Sequence, residues 1–406
     1  MASPSPSPSL SLSLTSSILL SLILISTSSS DHQFELLDLH QPPQLSSPTT
    51  HHQPHSPPLS LTLHPRSSLH PPTANYTALT LSRLACDQAR VHSLLLRHSL
   101  ALSATSAPDF SPQELQSPVI SGIRLGSGEY FARLGVGRPA KNFYMVLDSG
   151  SDVTWLQCRP CAACYNQSDP IFNPSTSSTY RPLPCAAPQC SALDTSACRT
   201  NACLYQRNPT SFSYCLVNRD SASSSTLDFN SPRPADSVLA PLLANPRVKT
   251  YRYIALSGID VGGRPVNFSP SLLSIGRDGR GGVIIDSGTA VTRLRSEVYG
   301  AVRDAFAGMA RGLPAAGGFS LFDTCYDLSG MARARVPTVA LRFEGGKTVA
   351  LRPSNFLIPV DEGGKYCFAF AATSGSLSII GNVQQQGTRV SYDLANKVVG
   401  FSPNKC

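Results

Sequence analysis

One ten-residue pattern occurs twice in this chain and constrains its fold more than any other feature. Residues 147–156 read LDSGSDVTWL and residues 285–294 read IDSGTAVTRL, with six of ten positions identical. Each copy closes an apolar run (FYMVLD, VIIDSG) with Asp, then Ser-Gly, then a hydroxyl residue. Gly150 and Gly288 permit a tight turn and close backbone approach, so each Asp sits at a strand end rather than in a pleat. Two similar half-barrels are the economical explanation of the repeat. If the two turns face each other across a pseudo-twofold axis, Asp148 and Asp286 lie side by side. Two like charges at close range cannot both ionise, so the pair shares a proton and titrates as a unit. One carboxylate then acts as base on a water and the other as acid on a carbonyl. Ser151 and Thr289 are expected to hydrogen-bond within the turns and fix the carboxylates. Ser149, Gly150, Ser287 and Gly288 complete the two supporting loops.

The remaining texture agrees with an all-β fold. From Gly126 onward, short β-type runs such as YFARLGVG, VALRF, YCFAF and VVGFS alternate with Gly, Pro and Asn turns. All nine histidines lie between His32 and His98. Residues 101–406 therefore cannot build a Ser–His–Asp or Cys–His apparatus, or a zinc site that uses His, by themselves. No metal or cofactor is expected. The net charge of +8 is not gathered into a dense basic run, so nucleic acid is excluded as a partner.

Residues 1–30 read as a secretory signal: LSLSLTSSILLSLILIS followed by small residues, although no Lys or Arg precedes it. The stretch is too short and Ser-diluted to span a bilayer, so no stable membrane anchor is expected. Secretion makes the twelve cysteines a disulfide framework. Three glycosylation sequons fit the same route, at Asn75, Asn166 and Asn267. Residues 31–75 are rich in Pro, Ser and His and read as disordered. Residues 77–100 carry Leu79, Leu81, Leu84, Ala85, Val91, Leu94, Leu95 and Leu96 at helical spacing, which predicts an amphipathic helix with a basic face.

The chain resembles the pepsin-like aspartic proteases, in particular the Cys-rich plant group of nepenthesins and guard-cell aspartic proteases. The stretches that carry the resemblance include GSGEYFARLGVG, MVLDSGSDVTWLQCRPCAACYNQSDPIFNPSTSSTY, FSYCLVNR, GGVIIDSGTAVTRL, FDTCYDLSG and LSIIGNVQQQGTRVSYDLANKVVGFSPNKC. They cover nearly everything after residue 118. The resemblance implies an all-β, bilobal double β-barrel with Asp148 and Asp286 as the catalytic pair. LSIIGN would support the second catalytic loop. It implies a signal peptide (1–30), a propeptide (31–117), an N-terminal lobe (118–246) and a C-terminal lobe (247–406). The partners are a peptide or protein substrate and the chain's own propeptide, and the working form is a monomer. The location is the secretory pathway, with the apoplast first and the vacuole or endoplasmic reticulum as alternatives. The implied disulfides are Cys158–Cys161, Cys185–Cys203, Cys190–Cys198, Cys215–Cys406 and Cys325–Cys367. Cys164 is left unpaired and Cys86 sits in the propeptide. His92 and His98, on the predicted helix, gain charge on acidification and are candidates to trigger release of that segment.

The sequence departs from the family in its first lobe. The family follows its Cys-x-Tyr segment with Tyr-Gly-Asp-Gly, the flap that closes over the substrate. Here CLYQ runs directly into RNPTSFSYCL. The first lobe's own apolar-apolar-Gly strand and its Gly-Cys-Gly segment are absent too. Gly128 to Pro246 is 119 residues and Arg247 to Cys406 is 160, so the N-terminal lobe is truncated. Two functions fit these observations: a secreted aspartic endopeptidase, or a pepsin-fold binding protein without catalysis, like the plant xylanase inhibitors. The intact Asp motifs favour the first, and the missing flap favours the second for this chain.

Overall fold

The computed structural model describes residues 33–39, 59–65, 75–103, 130–150, 156–161, 169–187, 198–199, 202–203, 211–218, 220, 224–229, 231–248 and 250–406. Its frame is one thirteen-stranded sheet flanked by smaller ones. In chain order the elements that matter are β1 (Phe34–Asp38), β2 (Leu59–Pro65), α1 (Tyr76–Ser103), β3 (Tyr130–Val136) and β4 (Lys141–Val146). They continue with β5 (Ser211–Cys215), β6 (Ser225–Phe229), β7 (Val238–Leu243), β8 (Tyr253–Ile254), β9 (Val283–Ile285) and β10 (Thr292–Arg295). Then come α2 (Ser296–Met309), β11 (Phe370–Thr373), β12 (Ser378–Ile380), β13 (Thr388–Asp393) and β14 (Val398–Pro403). The large sheet runs β11-β10-β12-β9-β8-β7-β14-β13-β5-β6-β2-β3-β4.

The two strands that lead into the Asp turns occupy unequal positions. β9 is the apolar run Val-Ile-Ile, wholly buried, with β12 parallel on one side and β8 antiparallel on the other. A strand enclosed in this way needs apolar residues throughout. β4 is the last strand of the sheet. Its Tyr144 and Val146 are 39% and 42% exposed, among the largest apolar exposures of the described residues. An apolar edge strand of this kind is unusual in native sheets. The core below the sheet gathers Phe306 of α2 against Phe356 and Phe368, with Phe343 stacked on Phe401.

Two expectations need correction. Residues 31–75 are not disordered throughout. β1 pairs with Arg333–Pro337, and β2 lies between β6 and β3 in the large sheet. Phe34, Leu36 and the alternating Leu59, Leu61 and Leu63 supply the period-2 pattern behind these strands, which the Pro, Ser and His content hides. The predicted helix exists, capped by Asn75, whose Oδ1 accepts the Ala78 N–H at 2.9 Å. Its buried face, however, takes only part of the predicted apolar set and adds charged residues. Leu81 and Leu96 are exposed, while Thr80, Arg83, Leu84, Asp87, Val91, Leu94 and His98 are buried. A buried stripe that mixes charge with apolar groups has charged partners, and these lie in the cleft.

The cysteines also divide. Cys215 is bonded to Cys406 across 191 residues, and Cys325 to Cys367. Cys185 is disulfide-bonded, and Cys198 stands opposite Cys203 in backbone register. The implied Cys158–Cys161 pair is not formed. Cys161 is disulfide-bonded, whereas Cys158 carries a free thiol. The Cys158 backbone is bridged to Phe172 and its Sγ lies 3.5 Å from the Leu156 carbonyl. Cys164, Cys190, Ser151 and Asn166 lie outside the described residues. Asn75 and Asn267 are exposed. Among the described residues no helix is long and apolar enough to cross a membrane.

Candidate active site

The two repeats meet. The Ser149 N–H donates to Ser287 Oγ at 3.0 Å, and the Ser287 N–H donates to Ser149 Oγ at 2.9 Å. Each hydroxyl in turn donates across to the other strand: Ser149 Oγ to the Ile285 carbonyl at 3.3 Å, and Ser287 Oγ to the Leu147 carbonyl at 3.2 Å. The four bonds obey a local twofold and are fully buried. They fix the separation of the turns, because any slip of one strand breaks both members of a reciprocal pair.

This lock places the carboxylates together. The Gly150 N–H lies 3.0 Å from Asp148 Oδ1 and 3.0 Å from Asp286 Oδ1. The Gly288 N–H donates to Asp286 Oδ1 at 2.9 Å, and Thr289 Oγ1 donates to Asp286 Oδ2 at 2.5 Å. Glycine is required at 150. A Cβ there would stand 2.6 Å from the Asp286 carboxyl carbon. β12 supports the second turn as expected from LSIIGN: the Ile380 carbonyl accepts the Asp286 N–H at 3.0 Å. Asn382 Nδ2 donates to the Ser287 carbonyl at 2.9 Å. Among the described residues no matching strand backs Asp148, because β4 is the sheet's last strand.

Sequence reasoning missed a third member. Arg90 of α1 reaches between the carboxylates. Its Nη2 donates to Asp148 Oδ1 at 2.5 Å and to both oxygens of Asp286 at 3.1 Å, and its Nε lies 3.3 Å from Asp286 Oδ2. Two neighbouring ion pairs seat the helix on either lobe. Asp87 takes Arg293, and Arg83 takes Asp220. Arg83, Asp87 and Arg90 recur at intervals of four and three along the helix, which was the available signal: a charged stripe at core spacing.

The electrostatics divide the two acids. Burial pushes the Asp148 carboxyl above its usual range, and the charge of Asp286 adds to this against the pull of Arg90. Burial also acts to raise Asp286. Arg90, the Thr289 hydroxyl, Asp148 and the Gly288 N–H together outweigh it and hold that carboxyl below its usual range. The site therefore favours one protonated and one ionised acid, the distribution that acid–base work on a peptide carbonyl requires. Burial acts to lower Arg90, but the two carboxylates keep it charged.

Comparisons with known proteins give the family. Family profiles described as "Xylanase inhibitor N-terminal" and "Xylanase inhibitor C-terminal" match residues 130–211 and 251–403. The chain is 44% identical to "Aspartyl protease family protein 2" of Arabidopsis thaliana, over 80% of this chain and 81% of that one. The chain belongs to the plant group of pepsin-like aspartic proteases. It is 38% identical to "Protein ASPARTIC PROTEASE IN GUARD CELL 2" of the same plant, over 80% and 83% of the two chains. The alignment with the first of these aspartic proteases is 394 positions long but draws on only 80% of this chain's 406 residues. That relative thus carries sequence inside the aligned span that this chain lacks. Among solved structures, "Crystal structure of edgp" superposes with a TM-score of 0.57 at 19% identity, covering 68% of this chain and 91% of that one. This likeness establishes the shared, mostly β pepsin-like fold.

Proposed function

We propose that this chain is the zymogen of a secreted aspartic endopeptidase, with Asp148 and Asp286 as the catalytic dyad and α1 as its inhibitory segment. The observation that carries the reading is the single Gly150 N–H shared at 3.0 Å by both carboxylates, clamped by the reciprocal serine bonds. With Arg90 withdrawn, a water takes its place between the acids. Asp286, ionised, accepts a proton from that water as its oxygen attacks the scissile carbonyl. Asp148, protonated, donates to the carbonyl oxygen, and the tetrahedral product collapses with proton transfer to the leaving amine. While Arg90 is present, no water or carbonyl can occupy that position. Secretion is supported by the two long-range disulfides, which persist in oxidising compartments.

The test is hydrolysis of a mixed peptide library at acid pH by the wild type and by Asp148→Asn and Asp286→Asn variants. Each substitution is expected to lower kcat by at least about a thousandfold, since a dyad with one amide cannot both accept and donate the proton. Appreciable turnover by either variant removes the dyad assignment. A second reading, a cleft that binds peptides without cutting them, draws on the exposed edge at β4 and on the sequence that relatives carry and this chain lacks. Peptide binding by a wild type that cleaves nothing would favour it.

A further inference from the structure

Asp87 is held as a bound carboxylate is held. Its side chain is 2% exposed. Its Oδ1 accepts the Ala290 N–H at 2.6 Å and its Oδ2 accepts Arg293 Nη2 at 2.7 Å. The receptor for this carboxylate is built entirely from the body of the protein. Ala290 follows Thr289, the residue that bonds Asp286, and Arg293 lies on β10 with its other Nη donating to the Val291 carbonyl at 3.1 Å. Among the described residues Asp87 is the only carboxylate paired with Arg293. Once α1 leaves, a nearly buried guanidinium and a backbone N–H are left facing the cleft without an anion, an arrangement that is costly until an anion returns. A fixed N–H beside a fork-shaped guanidinium matches the two oxygens of a carboxylate.

The receptor's distance from the dyad follows from the helix. Arg90, which fills the dyad, lies three residues beyond Asp87, about 5 Å along the axis. An extended peptide advances about 3.3 Å per residue. Leu84, a further turn back, is buried among Ala290, Val291, Phe322, Ile358 and Val360. α1 therefore fills the cleft with three chemistries in order: an apolar group, a carboxylate, and a cation on the dyad.

Building on the reading of α1 as a removable inhibitor, we infer that the Ala290 N–H and Arg293 form a carboxylate-binding subsite. It selects peptides that carry Asp or Glu about one or two residues from the scissile bond. The roles are distinct: Asp148 and Asp286 do the chemistry, and Arg293 determines specificity.

The test uses full-length protein held at acid pH until mass spectrometry shows α1 released, then returned to about pH 5.5, where a free Glu is ionised. Peptides with a statine unit at the scissile position, paired as Glu and Gln at each position from one to four residues away, are titrated calorimetrically. At one position the Glu peptide is expected to bind about tenfold tighter or more than its Gln twin. Arg293→Gln should abolish that preference, the Glu and Gln twins then binding equally, and measurable binding of either twin shows that the variant is folded. Arg293→Lys should retain part of the preference. Equal binding of every Glu and Gln pair to the wild type overturns the inference. So does a preference that survives in Arg293→Gln, a failure to bind any of these peptides, or an α1 that stays bound at every pH. Cleavage of the same sequences without statine is scored separately. Binding that discriminates without cleavage leaves the subsite standing and removes the endopeptidase reading.

Discussion

Arg90→Met tests whether charge, rather than apolar packing, holds α1 in the cleft. Methionine keeps the unbranched stem of Arg90 and loses the guanidinium, and with it all four contacts to Asp148 and Asp286. The Arg90 side chain is 12% exposed and its Asp286 partner is fully buried, so solvent screening is weak. A hydrogen bond to a charged group contributes about 1.5–3 kcal/mol net. The contacts here are shared and not additive, and the vacated dyad can take up a proton to relieve its own repulsion. A net loss of about 2–4 kcal/mol follows, which is roughly a 30- to 1000-fold shift in the docking equilibrium. The assay is hydrogen–deuterium exchange of amides 76–103 in the full-length protein across pH, read against global unfolding. At neutral pH the variant's helix should exchange faster by that factor while β9 and β12 stay protected. The pH dependence should change as well. Because Asp286 is depressed while docked, its contribution is present above the free carboxyl range and is lost as pH falls through the docked value. Asp148 is raised and works in the opposite sense, so the slope belongs to the pair, and it should largely vanish in Arg90→Met. Equal helix protection in wild type and variant would refute the charge lock.

Three further outcomes are expected. Burial, aided by the charge of Arg280, holds docked His98 below the ordinary histidine range, so its contribution to docking is full above about pH 6.5 and is lost as pH falls through the docked value. His98→Gln should therefore flatten the exchange profile of α1 in that window. Removing the Cys215–Cys406 bond, which closes 191 residues, as Cys215→Ala/Cys406→Ala should cost about 2–5 kcal/mol in denaturant unfolding under non-reducing conditions. Val146→Lys, on the exposed last strand, should reduce concentration-dependent aggregation measured by light scattering without lowering the unfolding midpoint by more than about 0.5 kcal/mol equivalent.

The sequence alone determined that this chain brings two Asp-Ser-Gly turns to the ends of apolar strands. A repeat of six identical positions in ten, in a β-patterned region without histidine, admits few other constructions. Periodicity also located a helix at 77–100, which the structure extends to Tyr76–Ser103. Period and composition are local quantities, and the first is enough to place an element. Composition misled at 34–38 and 59–65, where an alternating apolar pattern forms strands within a segment rich in Pro, Ser and His. Only the tertiary structure decided which side of α1 faces inward. Apolar spacing found part of that face, Leu84, Val91 and Leu94, but also counted Leu81 and Leu96, which are exposed. The helix also buries Arg83 and Asp87 beside them and inserts Arg90, because the carboxylates in the closed cleft attract a cation and Arg293 attracts an anion. Partners such as Arg90 with Asp286, or Asp87 with Arg293, lie about two hundred residues apart in the chain. Their pairing depends on three-dimensional burial, and no window of sequence carries it.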